Sequence, residues 1–443
     1  MSRVSKLDSS SASPVTPGAP RRTRLGSAVG RWLSDWSAAF RHLVAFTTVT
    51  SVAMVALDGF ITPFLREQGV DVVAIGFFHG LAGAAGAFGA ALGGIFADRW
   101  GRRVVLAVGR TLRFGGWAIV LLAPRSPYIT LAAVVLGLGY AGGTAVMTLL
   151  AETAPKGRRA FAFAVVGAID GLVSMVVPVT IGFLADRYGL GAALGLAYIP
   201  AVAGLLLITR LQETLATPAP SEGTPVDPPV AGTPASRPSL WAGLRYLLSG
   251  PGRGAALMAL VWLVTGVEMG FMRPIYPLYV LDRFGLSYAG LGLVATVGSI
   301  GVVLGQLVGG YLADRIGHAR LMVVCLSSTG LAFLVIPLAT TPSGYAVLLS
   351  LAYFSGCLAG PCWGAVGANA TPRVVRGAVT GLFTAFRSVG LAVGGAFSGL
   401  VYAQGITLPW YVVAAGEGVM LLLVLVGIRW ALPGFGGDKV YDD

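Results

Sequence analysis

Apolar positions in this chain fall into twelve long runs separated by short polar breaks. They cover roughly 42–65, 72–97, 104–123, 128–151, 161–184, 191–210, 255–281, 288–312, 321–340, 344–368, 378–402 and 407–430. Crossing a bilayer takes about 20 apolar residues. Hydrocarbon offers no partner to an open strand, so each run is predicted to be a helix. The expected fold is an all-α membrane protein. The longest polar interval, 211–253, holds Thr217-Pro218-Ala219-Pro220 and Pro228-Pro229 and reads as a linker. Within it, Leu240 to Leu248 form an amphipathic patch. The linker separates an N-terminal six-helix half (41–210) from a C-terminal one (254–431), flanked by tails at 1–40 and 432–443. Residues 1–25 are rich in Ser, Pro and Arg and read as disordered. Residues 31–41 read as an amphipathic helix on the inner membrane surface.

Composition agrees with that solvent. Of the 443 residues, 55% are hydrophobic and 11% charged, where a soluble chain carries about 25% charged residues. The net charge of +12 could suggest nucleic acid, but its placement gives another reason. Of the 31 Lys and Arg, 23 fall in the tails and alternate loops on one side, and four (Arg66, Arg125, Arg187, Arg283) on the other. The remaining four (Arg110, Arg113, Arg273, Arg387) lie within spans. Positive charge stays inside, so both termini are expected in the cytoplasm of a cell carrying this chain in its inner membrane. No nucleic-acid partner is implied. Arg21, Arg22 and Arg24 precede no immediate apolar core, so no cleaved signal peptide is expected. Cys325, Cys357 and Cys362 sit in apolar runs and read as buried thiols, with no disulfide framework or metal site.

The runs repeat. Gly93-Gly94-Ile95-Phe96-Ala97-Asp98-Arg99-Trp100-Gly101-Arg102-Arg103 returns as Gly309-Gly310-Tyr311-Leu312-Ala313-Asp314-Arg315-Ile316-Gly317-His318, a shift of 216 from Asp98 to Asp314. A shorter echo, Gly182-Phe183-Leu184-Ala185-Asp186-Arg187-Tyr188-Gly189, lies 88 after the first, from Asp98 to Asp186. A worn copy stands at Gly399 to Ala403. The shorter period contains three helices, so alternate copies are inverted. The longer contains six, so the halves run parallel. Inverted triplets nested in two halves are an architecture of secondary transporters, with the substrate site near the midplane.

Twelve spans, a central loop and the pattern Gly-x-x-x-Asp-Arg-x-Gly-Arg-Arg after span two, partly repeated after span eight, resemble the major facilitator superfamily over residues 41–431. The resemblance is nearest to bacterial drug-efflux-like members. It implies two pseudo-symmetric six-helix bundles that move by alternating access. It also implies a cytoplasmic latch made by Gly94, Asp98, Arg99, Gly101, Arg102 and Arg103 with Gly310, Asp314, Arg315 and Gly317. Spans one, four, seven and ten would line the cavity. Two positions depart from the drug–proton antiporters of that superfamily. Ala133 stands where they carry an Arg before a Gly in span four, and Pro178 follows Val177 where they carry Gly-Pro-x-x-Gly-Gly in span five.

Ionisable groups within spans are costly and usually face a cavity or a partner. Asp58 and His79 share a depth on adjacent helices, and the repeat brings Asp58 opposite Arg273. Asp58 is therefore expected to be a protonatable gate group partnered by His79 or Arg273. Asp170 corresponds to Arg387 across the halves, and Glu268 could neutralise Arg387. These three are candidates for proton or substrate contact. Arg110 and Arg113 read as structural or as reaching to the inner interface. Tyr140, Tyr276, Tyr279, Tyr353 and Trp363 are candidate cavity aromatics. The alternative is that such rings only fill space or anchor at the interface.

No phosphate-binding loop or catalytic constellation is present, and no cofactor or enzymatic activity is expected. The expected function is secondary active transport, with proton-coupled export of amphipathic drug-like molecules by a monomer in a lipid bilayer. The alternative is a proton symporter or facilitator for a metabolite or lipid-like compound.

Overall fold

A computed structural model of the chain describes residues 36–154, 159–213 and 240–435. The segment 1–25, residues 31–35 of the expected 31–41 helix, the stretch 214–239 and the last eight residues lie outside the described residues.

Among the described residues, twelve helices are long and apolar enough to cross a membrane. They are α1 (Ala38–Glu67), α2 (Val72–Trp100), α3 (Arg102–Leu122), α4 (Tyr128–Thr153), α5 (Arg159–Tyr188) and α6 (Leu190–Ile208) in the first half. The second half comprises α7 (Arg253–Phe284), α8 (Tyr288–Ile316), α9 (His318–Leu338), α10 (Pro342–Asn369), α11 (Arg376–Gln404) and α12 (Leu408–Arg429). A short helix, Leu240–Leu247, lies on the amphipathic patch of the linker. The halves form the two six-helix bundles of inverted triplets that the repeats predicted.

The repeated motif makes the tightest turns. Gly101, Gly189 and Gly317 have φ of +97°, +88° and +91° and join α2 to α3, α5 to α6 and α8 to α9 with no further residue. Backbone of that kind suits glycine, which has no Cβ to clash. Side chains complete other ends. Asp71 accepts from the Val73 amide at 2.9 Å, and Ser287 from the Gly290 amide at 3.3 Å. Such caps satisfy the orphan amides of a first turn. The corresponding spans α4 and α10 are both interrupted: α4 breaks after Leu138 and resumes at Ala141, and α10 breaks at Ala359 before Gly360-Pro361.

The end bearing the α2–α3 and α8–α9 turns is called here the motif face, and the opposite end the far face. Toward the far face one apolar cluster joins both bundles, running from Phe60, Ile61 and Phe64 to Leu278, Tyr279 and Trp410. Toward the motif face the core divides in two, around Leu43, Phe46 and Leu106 in one bundle and Met258, Met322 and Val366 in the other. Glycine explains the close side. A Cβ on Gly80 would lie 2.6 Å from the Ala396 amide, and one on Gly76 2.7 Å from that of Gly399, so α2 and α11 meet backbone to backbone. Without a hydrophobic force between helices in lipid, such close approach is what dispersion requires. On the motif side, Phe88, Leu307 and Tyr311 are 64%, 73% and 57% exposed. A Cβ on Gly94 or Gly310 would meet nothing within 4 Å. The bundles are thus closed at the far face and parted at the motif face.

Candidate functional site

Where the bundles begin to part, one side chain crosses between them. Arg273 on α7 donates from Nη1 to the Tyr140 hydroxyl on α4 at 3.0 Å. Tyr140 sits at the break in α4, and a Cβ on Gly86 of α2 would stand 2.9 Å from its ring. Small residues on α2 therefore make room for this ring. The other face of the cluster is Arg113 of α3, whose guanidinium carbon lies 4.3 Å from the Tyr140 ring centroid, a cation–π arrangement. Arg113 in turn donates from Nη2 to Asp58 of α1 at 2.5 Å. Asp58, Arg113, Tyr140 and Arg273 form one polar chain from the first bundle to the second.

The pair at its root is asymmetric. The Arg113 side chain is 6% exposed and that of Asp58 is 42% exposed. The carboxylate faces the cavity and the guanidinium is held in the protein. Burying a charge is tolerable only when it is paired.

Three cavities meet at Arg273. One of about 150 Å³ is lined by Asp58, His79, Arg113, Tyr140 and Arg273. A second, about 180 Å³, lies between α2, α7 and α11 and is lined by Tyr140, Met269, Arg273 and Arg387. The third, about 370 Å³, enters the second bundle and is lined by Glu268, Arg273, Tyr276, Thr329, Tyr353 and Glu417. Arg273 can therefore sense the contents of all three.

Several expectations change. The partner of Asp58 is Arg113, not His79 or Arg273. His79 instead bonds Thr62 Oγ1 through Nε2 at 2.9 Å, and Arg273 is taken by Tyr140. Arg113 is a buried member of the site and does not reach to an interface. Asp58 lies nine residues before the end of α1 and Arg113 nine before the end of α3, so comparing depth on these two spans would have found the pair. Glu268 does not neutralise Arg387: among the described residues the ion pairs within 4.0 Å are Arg113–Asp58 and Arg102–Glu152. Arg387 lies 4.0 Å from Met269 Sδ and 5.9 Å from the Trp262 ring centroid. Asp170 accepts from the Ser51 hydroxyl at 2.6 Å, within its own bundle. Tyr279 is fully buried among Phe284, Tyr345 and Trp410 and lines none of these cavities. Trp363 lies 6.3 Å from Trp262, ring to ring. Tyr140, Tyr276 and Tyr353 do line them.

At the motif face, Asp98 lies in the last turn of α2, and its side chain is outside the described residues. Arg99, Asp314 and Arg315 are exposed, and Arg315 lies 4.6 Å over the Tyr311 ring. Arg102 pairs with Glu152 of α4. Glu213, just past α6, accepts from the Arg102 and Arg103 amides at 3.1 and 3.0 Å, capping α3. Arg103 also donates to the Thr209 carbonyl at 3.1 Å. These contacts tie the turn to its own bundle. Glu152 and Glu213 carry no recognisable motif, and sequence reading missed them.

A twelve-helix, two-bundle membrane protein with a polar crossing at mid-depth is built as a secondary transporter. The chain belongs to the Major Facilitator Superfamily, whose family profile matches residues 42–272 and 258–434. It is 30% identical over 373 residues to the enterobactin exporter EntS of Escherichia coli O1:K1 / APEC, covering 80% of this chain and 84% of that one. Its fold is similar to that of the nucleoside transporter NupG, with a TM-score of 0.69 at 15% identity over 88% of this chain and 99% of that one. It is also similar to a POT family transporter in complex with 5-aminolevulinic acid, with a TM-score of 0.68 at 14% identity over 88% and 96% of the two chains.

Proposed function

We propose that the protein is a monomeric exporter of amphipathic small molecules across the inner membrane, driven by protons and working by alternating access. The excess of Lys and Arg on the motif face supports a cytoplasmic location for that face and for both termini. The supporting observation is the Arg273–Tyr140 bond, which ties the bundles together at the level beyond which, toward the motif face, they part. An exporter loads from that side. The exporter EntS as a relative supports the same direction. Asp98, Arg99, Asp314 and Arg315 form the latch when the motif face closes. Asp58, His79, Asp170, Glu268, Arg273 and Arg387 supply the polar contacts for substrate and proton, with Tyr140, Tyr276 and Tyr353 stacking on apolar parts of the substrate.

The test is uptake into inside-out vesicles, with enterobactin and the amphipathic dye ethidium as probes. Accumulation that rises when the vesicle lumen is acid supports proton-driven export. Uptake only into right-side-out vesicles assigns the chain to import instead.

A further inference from the structure

The second bundle contains an acidic site that the polar chain at Arg273 does not use. Glu268 of α7 and Glu417 of α12 line the same cavity of about 370 Å³. They are neighbours. The Glu268 carboxylate rests over Gly416, where a Cβ would lie 2.6 Å from Glu268 Oε1. Glycine beside Glu417 is what admits the second carboxylate.

The oxygens are left without partners. Glu268 Oε1 and Glu417 Oε2 are buried and make no hydrogen bond. Glu417 is 6% exposed. An independent group points the same way: Thr329 of α9 is 3% exposed, lines the cavity, and its hydroxyl is also unpartnered. Among the described residues no Lys, Arg or His nitrogen lies within 4.0 Å of either carboxylate. The facing ionisable groups are Arg273 and Tyr276 of α7, Tyr353 and Cys357 of α10, Cys325 of α9 and, across α7, Arg387 of α11. Of these Arg273 is engaged with Tyr140 and Arg387 lies against Met269 and Trp262.

Two adjacent carboxylates in a medium that solvates charge poorly cannot both ionise cheaply. A carboxyl O–H donating to the neighbouring carboxylate removes one charge and satisfies one orphan oxygen. Such a proton belongs to the pair and not to either residue. We propose that Glu268 and Glu417 together bind one proton, exchanged with water through the Arg273 end of the cavity, and that this is the proton of the transport cycle. The last clause rests on the proton-driven reading above. Asp58 is a poorer place for that proton, because it already has Arg113. Uptake adds H⁺ to one carboxylate oxygen and release returns it to water, with no other bond changed.

Two measurements on the full chain in lipid nanodiscs test this without a substrate. Infrared difference spectra between acid and alkaline pH report the C=O stretch of a protonated carboxyl. We expect a titrating band that is lost in Glu268→Gln and in Glu417→Gln but kept in Asp58→Asn and Asp170→Asn. Glu417→Asp, which keeps the carboxyl, shifts the band and serves if the Gln variant does not fold. Persistence of the band in both Gln variants overturns the pair. The second measurement is the distance between spin labels placed at Ile95 and Tyr311, exposed on opposite bundles at the motif face. We expect a distance distribution that changes with pH in the otherwise unaltered protein and is insensitive to pH in both Gln variants. A distribution independent of pH in the otherwise unaltered protein, with the infrared result as expected, overturns proton-driven transport and the pair's role in it. A pH response that survives in the Gln variants overturns that role alone.

Discussion

The carboxylate of Asp186, at the end of α5, accepts a hydrogen bond from the Tyr288 amide at the start of α8 at 2.9 Å. Its other oxygen accepts from the Ala289 amide at 3.0 Å. One side chain of the first bundle thus satisfies two orphan donors of a helix in the second, at the positive end of its dipole. Asp186 occupies in its repeat the place of Asp98 and Asp314, three residues before the turn glycine. The hydroxyl of Tyr288 adds a second tie, donating to Glu67 of α1 at 3.1 Å. Closure of the far face therefore has a discrete lock.

Asp186→Ala should release it. Charge-assisted hydrogen bonds contribute about 1.5–3 kcal/mol each, and solvent at this exposed site reduces the effect of losing the pair to about 1–3 kcal/mol. The expected result is a shift of about 5- to 150-fold toward a state open at the far face. Electron-spin distances between labels on α5 and α8 would report it. Asp186→Asn keeps one acceptor and should fall between.

The Asp58–Arg113 pair should respond unequally to loss of either member. Removing Asp58 leaves a guanidinium that is 6% exposed without its counter-charge, a change that costs about 3–5 kcal/mol. Replacing Arg113 with Met leaves Asp58, which is 42% exposed and can be hydrated from the cavity. Thermal unfolding of purified protein should show a clearly larger fall for Asp58→Ala than for Arg113→Met. Equal falls would contradict the asymmetry.

The Tyr140 hydroxyl and ring do different jobs. Tyr140→Phe removes the bond to Arg273 but keeps a ring for Arg113. The expected cost is about 0.5–1.5 kcal/mol. Tyr140→Ala loses both contacts and should cost more. A cycle with Arg273→Ala measures the coupling, expected at about 0.5–3 kcal/mol for residues in contact. Additivity within error would dissolve the crossing contact.

Glycines on the same helix should divide by depth. Gly80→Ala places a methyl 2.6 Å from the Ala396 amide and must push α2 from α11. We expect a lower unfolding temperature and a far face more open to thiol reagents. Gly94→Ala meets nothing within 4 Å in this state, so it should leave the stability of the closed far face unchanged.

The sequence alone determined the helices, their number and the two-bundle plan. Those depend on local quantities: the length of each apolar run, the burial of backbone polar groups in lipid, and the period of a motif whose glycine must turn with positive φ. It also singled out Asp58, His79, Tyr140, Glu268 and Arg273, because charge and aromatic rings are conspicuous in an apolar run. What it could not assign was who meets whom. Helix rotation about its axis decides whether Asp58 faces Arg113 or His79, and rotation is set by which glycines let which backbones close. Depth matching alone could have proposed Arg113. Nothing local could have turned Glu417 inward beside Glu268, or left Tyr279 in a sealed cluster of rings, since those depend on the facing helix. The state of the molecule, closed by Asp186 and Arg273 and parted at the motif face, is likewise a property of contacts between bundles. Residues far apart in the chain make those contacts, and only the tertiary structure brings them together.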